Sequence, residues 1–406
     1  MDTDNNNKAS LIPNIITAII FIILAVPFSS AYFSYALIIF VLFTLWDLYV
    51  AKKHGTYHFP SLSSFRVPAF SILLFYSAII LTAVVNWDIP SMKEGLAEFY
   101  LSLPCFMLWY AGCRHNIKAG VKSGLVIGIT ITCLYALNQL RLHPDTRIVG
   151  LFAHPNHLGT MMNLVLPFFL YYFAKSSRIT ERLLFALTTF IGFLCLYLSG
   201  SRGALAAFII SLMISIFITF ILFHKTLLFK RYFIPLFITL MSIAIASGAL
   251  YNLQKSRIDA WNESGGERLL MYNASYEMWV DNPITGVGLA NWKENYYSPK
   301  YHPMAGKEKN LDMPHNMFLY FLSTAGIIGA ISYIFYIITT FLSLCKKAIS
   351  FPSHPWLFTV ILISFFSFLI HGMVDTTIIN KIPARMYFAL IGYIFSLKIT
   401  LSDNDL

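Results

Sequence analysis

The chain has 406 residues, of which 57% are hydrophobic, 16% aromatic and only 12% charged, with a mean hydropathy of +0.66. That charged share is about half the ~25% of a soluble domain, and a soluble fold has too little interior to hide so much apolar surface. The formal net charge of +10, with a pI of about 9.2, then reads as lysine and arginine crowding the loops on one side of a membrane, and not as a nucleic-acid footprint.

A membrane helix needs about 20 predominantly apolar residues. Twelve runs meet that description, at roughly 11–28, 31–50, 67–86, 96–113, 123–140, 158–174, 183–199, 203–223, 232–251, 315–344, 356–374 and 386–400. They predict an all-α, polytopic integral membrane protein of about 12 transmembrane helices. Residues 1–251 carry helices one to nine, 252–313 form one large loop that itself contains helix, and 314–406 carry helices ten to twelve. Ser29 and Ala31 after the first run resemble a signal-peptide cleavage site, but the leader MDTDNNNK holds one lysine and two aspartates. That is a poor n-region, so the run is read as a span. The five cysteines (Cys105, Cys113, Cys133, Cys195, Cys345) show no CxxC or CxH spacing, which argues against a zinc site or a disulfide framework.

With twelve spans, sixteen basic residues fall on the side of the N-terminus and thirteen on the other, seven of the thirteen inside 252–313. Long segments translocate largely regardless of charge. The short-loop comparison is therefore sixteen against six. Both termini are expected in the cytoplasm and the long loop in the periplasm. The spans carry almost no ionisable residue near their middles: Asp47, Glu98 and Lys398 sit near ends. A polysaccharide flippase or other transporter calls for midplane polar groups and repeated halves, and neither is present.

Polar groups gather in the outward loops instead. RLHPDTRIVGLFAHPNHLG (141–159) follows the fifth run and carries Arg147, His154, Asn156 and His157. LSGSRGAL sets Arg202 at the tip of a turn between the seventh and eighth runs. In ERLLMYNASYEMWV (267–280), Leu269, Tyr272, Tyr276 and Trp279 recur at three- and four-residue steps, the apolar stripe of a helix opened by Gly265 and Gly266 and closed by DNP. PITGVGLANW (283–292) is turn-rich. The apolar stretch from Pro314 to Leu344 exceeds one crossing, and STAGIIG within it predicts a break between a short first helix and the span. Pro314 suits a first helical turn, which sets His315 at a helix start near the membrane surface. His371 and Asp375 are four apart at the end of the eleventh run, hence on one helix face. Plain alternatives stand beside each. Arg202 is a phosphate contact or the tie of a hairpin, Arg268 a phosphate contact or a solvated first-turn residue, and His315 a base or an interfacial histidine. Tyr272 and Trp279 stack on sugar or fill a core.

Four stretches taken together, GLFAHPNHLGTMMNL (150–164), SGSRGALAAF (199–208), ERLLMYNASYEMWVDNPITGVGLANW (267–292) and PHNMFLYFLSTAGIIGAISY (314–333), resemble the O-antigen ligase and polymerase superfamily in their order, sidedness and loop position. Residues 293–312 fall outside the likeness. The resemblance implies a bacterial inner-membrane protein and a metal-independent, inverting glycosyl transfer on the periplasmic side, with no cofactor. The implied donor is polysaccharide on undecaprenyl diphosphate. One branch transfers it to lipid A–core, the other joins repeat units. Arg202, Arg268 and His315 match the family's arginine after the short span, the arginine opening the loop helix and the histidine of the late span.

Such a transfer builds negative charge on the leaving diphosphate, which the planar fork of arginine can bind through two oxygens. The acceptor hydroxyl is a poor nucleophile, and a histidine base is worth about 10²–10⁴-fold. Arg202, Arg268 and His315 are therefore expected to be catalytic, with Arg147, His154, Asn156, His371 and Asp375 binding substrate. No DxD-like pair or close acidic cluster stands at an outward span end, so no metal site is expected. The expected partners are the lipid-linked donor, the lipid A–core acceptor and membrane lipids, without nucleic acid. The full motif series and modest loop favour the ligase over the polymerase.

Overall fold

The computed structural model describes residues 2–27, 31–53, 55, 60–144, 146–223, 256–301, 311–350 and 354–397. Their regular secondary structure is helical throughout. In chain order the helices are α1 (Asp2–Ala25), α2 (Ala31–Lys53), α3 (Arg66–Val85), α4 (Ile89–Arg114), α5 (Lys118–Leu142), α6 (Pro155–Lys175), α7 (Ile179–Leu198), α8 (Arg202–Phe223), α9 (Ser256–Asp281), α10 (Trp292–Tyr296), α11 (Met317–Ile349), α12 (Pro355–His371) and α13 (Lys381–Ser396). Eleven of the twelve apolar runs coincide with helices. The ninth run, 232–251, lies outside the described residues, as does 302–310 of the long loop.

Six of these helices, α2, α3, α5, α7, α8 and α11, are long and apolar enough to cross a membrane by length and composition; α12 and the Leu11–Ala25 part of α1 are apolar but shorter. Their outward faces need a solvent other than water. Phe190 is 67% exposed and Leu42 61% exposed, on helices with few charges. An apolar surface on that scale marks a membrane protein.

Close helix contacts use small residues, as expected where lipid removes any hydrophobic drive between helices. On α5, Gly120, Gly124 and Gly128 recur every fourth position and lie against Asn14, Ala18 and Ala25 of α1. Gly392 of α13 lies against the backbone of Cys105 in α4. The helix α12 packs against both α6 and α8, and α9 lies against α11.

The predicted break in the late span is present at Gly326, whose φ of 64° and ψ of −161° interrupt α11. The turn-rich segment after α9 stitches across it. Ile327 N donates to Pro283 O at 2.9 Å, and Val287 N and Gly288 N donate to Ser323 O and Thr324 O at 2.9 Å. Backbone groups that a broken membrane helix frees must be satisfied this way.

Several expectations need correction. The helix after Pro314 begins at Met317, capped by Asn316, whose side chain accepts from Leu319 N; Pro314 is not in its first turn. The loop helix does not open at Gly265 and Gly266 but runs through them from Ser256. Its buried face is Met271, Ala274 and Met278, packed with Trp292, Tyr296 and Leu311, whereas Leu269 and Tyr276 are exposed. Glu98 is not near an end of its helix; it is buried nine residues into α4 and accepts from Tyr320 Oη at 3.0 Å. Arg385 is buried in α13, its guanidinium 4.0 Å from the Phe33 ring centre.

Candidate functional site

One end of α5, α6, α7, α8 and α12 surrounds a cavity of about 590 Å³. Arg147, His154, Asn156, Arg202, Arg268, His315 and His371 all line it. These side chains are far apart in sequence, so the fold alone gathers them.

Each is set by local chemistry. His154 ends the loop before α6 and caps that helix, its Nδ1 accepting from Asn156 N at 3.2 Å, with Pro155 as the first helical residue. Arg147 Nε donates to Ser199 O at 2.8 Å and its Nη2 to Asn156 Oδ1 at 3.3 Å. That ties the loop after α5 to the turn before α8. The turn depends on Gly200, whose φ of 62° favours glycine. It delivers Arg202 as the first residue of α8. A cation at a helix N-terminus is disfavoured by the helix dipole by about 0.3–1 kcal/mol, so Arg202 and the dipole of α8 aim positive potential the same way. Arg268 is half-buried on α9 beside Glu267, which also lines the cavity.

Burial, followed by repulsion from Arg202 and Arg268, holds the Arg147 pKa below the ordinary guanidinium value, while Asp375 pulls it up. Three guanidiniums are thus close enough to feel one another. The chemistry of such a cluster is polyanion binding.

His315 stands just before the Asn316 cap with φ of 50°, a left-handed conformation that a histidine adopts at a cost of order 1 kcal/mol. Met317 N donates to Gly372 O at 2.8 Å and Asn316 Nδ2 to Met373 O at 3.0 Å, fixing the helix start against the segment after α12. In this setting His315 Nδ1 donates to Asp375 Oδ1 at 3.2 Å, and Thr376 N donates to the same oxygen at 2.7 Å. Burial pushes the Asp375 carboxyl up, but the His315 hydrogen bond, the His371 and His315 charges and the Thr376 N–H outweigh it and hold the group well below the usual carboxylate range. The helix α12 ends at His371, so Asp375 does not share a helix face with it, although His371 Nε2 lies 3.9 Å from Asp375 Oδ2. Asp375 does not line the cavity; it sits behind His315.

Sequence reasoning missed two contributors, Thr160 and the Ser199 carbonyl. Thr160 Oγ1 lies 2.8 Å from His371 Nδ1 and donates to Asn156 O at 2.9 Å; it follows Asn156 by one helical turn, the signal that points to it. The Ser199 carbonyl holds Arg147. Tyr272, named from the sequence as a sugar-stacking or core residue, sets its Oη 3.5 Å from His315 O and 3.4 Å from Met373 O. Among the described residues, no three His, Cys, Asp or Glu side chains gather as a metal-ion site.

Residues 187–334, a little over a third of the chain, match the family model described as O-antigen ligase. Arg202, Arg268 and His315 lie inside the matched stretch; Arg147, His154, Asn156, His371 and Asp375 lie outside it. No curated protein matches the chain. The match runs from α7 through the stitched break of α11 and takes in three of the cavity's side chains, so over that stretch the chain is similar to the O-antigen ligase family.

Proposed function

We propose that the protein is an O-antigen ligase, transferring O-antigen polysaccharide from undecaprenyl diphosphate to lipid A–core by a metal-independent, inverting glycosyl transfer. The superfamily implies a ligase or polymerase type of membrane enzyme in O-antigen processing. One observation carries the finer reading: the convergence of Arg147, Arg202 and Arg268 with His315 on one cavity of about 590 Å³.

In this mechanism Arg202 and Arg268 bind the diphosphate, with Arg147 completing the cationic wall. The acceptor hydroxyl oxygen attacks the anomeric carbon from the face opposite the diphosphate. The bond to the diphosphate oxygen breaks, and its electron pair leaves on a group already surrounded by fixed cations. His315 Nε2 takes the hydroxyl proton. Asp375, held on Nδ1, fixes the ring and stabilises the imidazolium that forms. His154, Asn156 and His371 shape the walls around the donor's sugar and phosphates.

Residues 1–251 and 314–406 supply the membrane helices, and 252–313 the periplasmic loop. The cavity opens to the periplasm and both termini face the cytoplasm of a bacterial inner membrane. The motif order and the basic-residue bias support this sidedness.

Deletion of the gene followed by lipopolysaccharide gel analysis tests the acceptor. Bare lipid A–core with accumulated lipid-linked polymer is expected. Core capped by a single repeat identifies a polymerase instead, and donor stranded on the cytoplasmic leaflet a flippase. Purified protein is expected to transfer glycan in excess chelator; a strict magnesium requirement overturns the arginine mechanism.

A further inference from the structure

At the opposite ends of α5, α6, α7 and α12 lies a second and larger cavity, of about 840 Å³. Its rim carries Lys118 and Lys122 from the start of α5, Lys175 at the end of α6 and Arg178 just before α7. Among the described lining residues, one carboxylate faces them. Glu181 Oε2 accepts from Lys122 Nζ at 2.6 Å, and Glu181 Oε1 lies 3.9 Å from Arg178 Nη1. Among the described residues, Lys122 and Arg178 share that carboxylate, and the exposed Lys175 adds further positive charge at the mouth.

The walls below the rim have the opposite character. Val126 and Ile127 of α5, Leu184 and Phe185 of α7, and Leu357 and Ile361 of α12 line them. A cationic mouth and an apolar lining share a single cavity.

We propose that this cavity binds an anionic glycerophospholipid. Its phosphate sits among Lys118, Lys122, Lys175 and Arg178, and its acyl chains run along the apolar walls. A soluble phosphate has no use for those walls, and a zwitterionic lipid leaves the surplus cations unanswered. Basic pockets between membrane helices are a recurrent form of lipid headgroup site. The proposal does not rest on the glycosyl-transfer reading, since no residue of the other cavity takes part.

The test uses purified full-length protein in detergent, with native mass spectrometry reading retained lipid. Phosphatidylglycerol should bind at least about tenfold more tightly than phosphatidylcholine, since each cation near an anionic headgroup is worth about fivefold. Lys175 and Arg178 are exposed, so the double substitution K175A/R178A leaves the core intact. It should weaken phosphatidylglycerol about tenfold or more and leave phosphatidylcholine unchanged. Equal retention of the two lipids, or undiminished phosphatidylglycerol binding by the double variant, overturns the proposal. So does complete displacement of the lipid by millimolar inorganic phosphate, which identifies a soluble-anion site.

Discussion

His315 separates backbone strain from chemistry. Its left-handed conformation costs stability that glycine would not pay, and its imidazole is the proposed base. His315→Ala should lower transfer by about 10²–10⁴-fold while the protein stays in the membrane, and near-normal transfer removes His315 as the base. His315→Gly should lose transfer equally yet melt no lower than His315→Ala; equal activity of the glycine variant and the native protein would sink the role. Asp375 acts through His315. Its folded pKa is depressed, so its contribution to stability is complete above the ordinary carboxylate value of about 3.9 and is lost as pH falls below that. Between pH 5 and 8 it stays ionised, and any acid-side fall in transfer there belongs to another group. Asp375→Asn should lower kcat at least about tenfold with KM little changed, because the imidazolium loses its counter-charge; a rise in KM alone marks a binding role instead.

At the scale of elements, the stitch across the broken helix joins the loop to the bundle. A side chain at position 326 meets the backbone of Ile284 and Thr285 and has an unfavourable φ of 64°. Gly326→Ala should therefore destabilise the protein by at least about 2 kcal/mol, read by thermal melting, and impair transfer although it is not among the residues lining the candidate site. The break was legible because Gly326 and Gly329 lie close together inside an otherwise apolar run. The inner face of α9 was not. That helix is apolar on more than one side, and a three- and four-residue spacing fits Leu269 and Tyr276 as well as the truly buried Met271, Ala274 and Met278. Its start was misplaced because glycine costs a helix interior only about 1 kcal/mol, which packing offsets. The burial of Arg385 is not legible in hydropathy, which sees a charge, while Phe33 supplies a ring face that accommodates it.

For the whole molecule, the two cavities sit at opposite ends of shared helices, so sidedness is testable as a unit. A cysteine introduced at Thr146 should react with an impermeant thiol reagent added from the periplasm, and one at Ser177 only after permeabilisation; Thr146 lines the first cavity and Ser177 the second. The reverse pattern inverts the topology. The all-helical class and the identity of the cavity residues were open to sequence reasoning, because hydropathy and outward arginines are one-dimensional signals. The placement of Asp375 behind His315 was not, because it depends on where α12 stops.

The gathered guanidiniums also bear on how the protein endures heat. Arg147, Arg202 and Arg268 come from three segments and repel one another where they meet. The unfolded chain has no such meeting point, so an anion that settles among them favours the folded state, by about 2.7 kcal/mol at a hundred times its Kd. Pyrophosphate should raise Tm well beyond an equal ionic strength of chloride, and Arg147→Ala should shrink that gain; no difference between the salts would dissolve the linkage. On the proposed function, the donor's phosphates serve as a structural clamp as well as a leaving group, and the protein's lifetime in the membrane is expected to follow its supply of lipid-linked substrate.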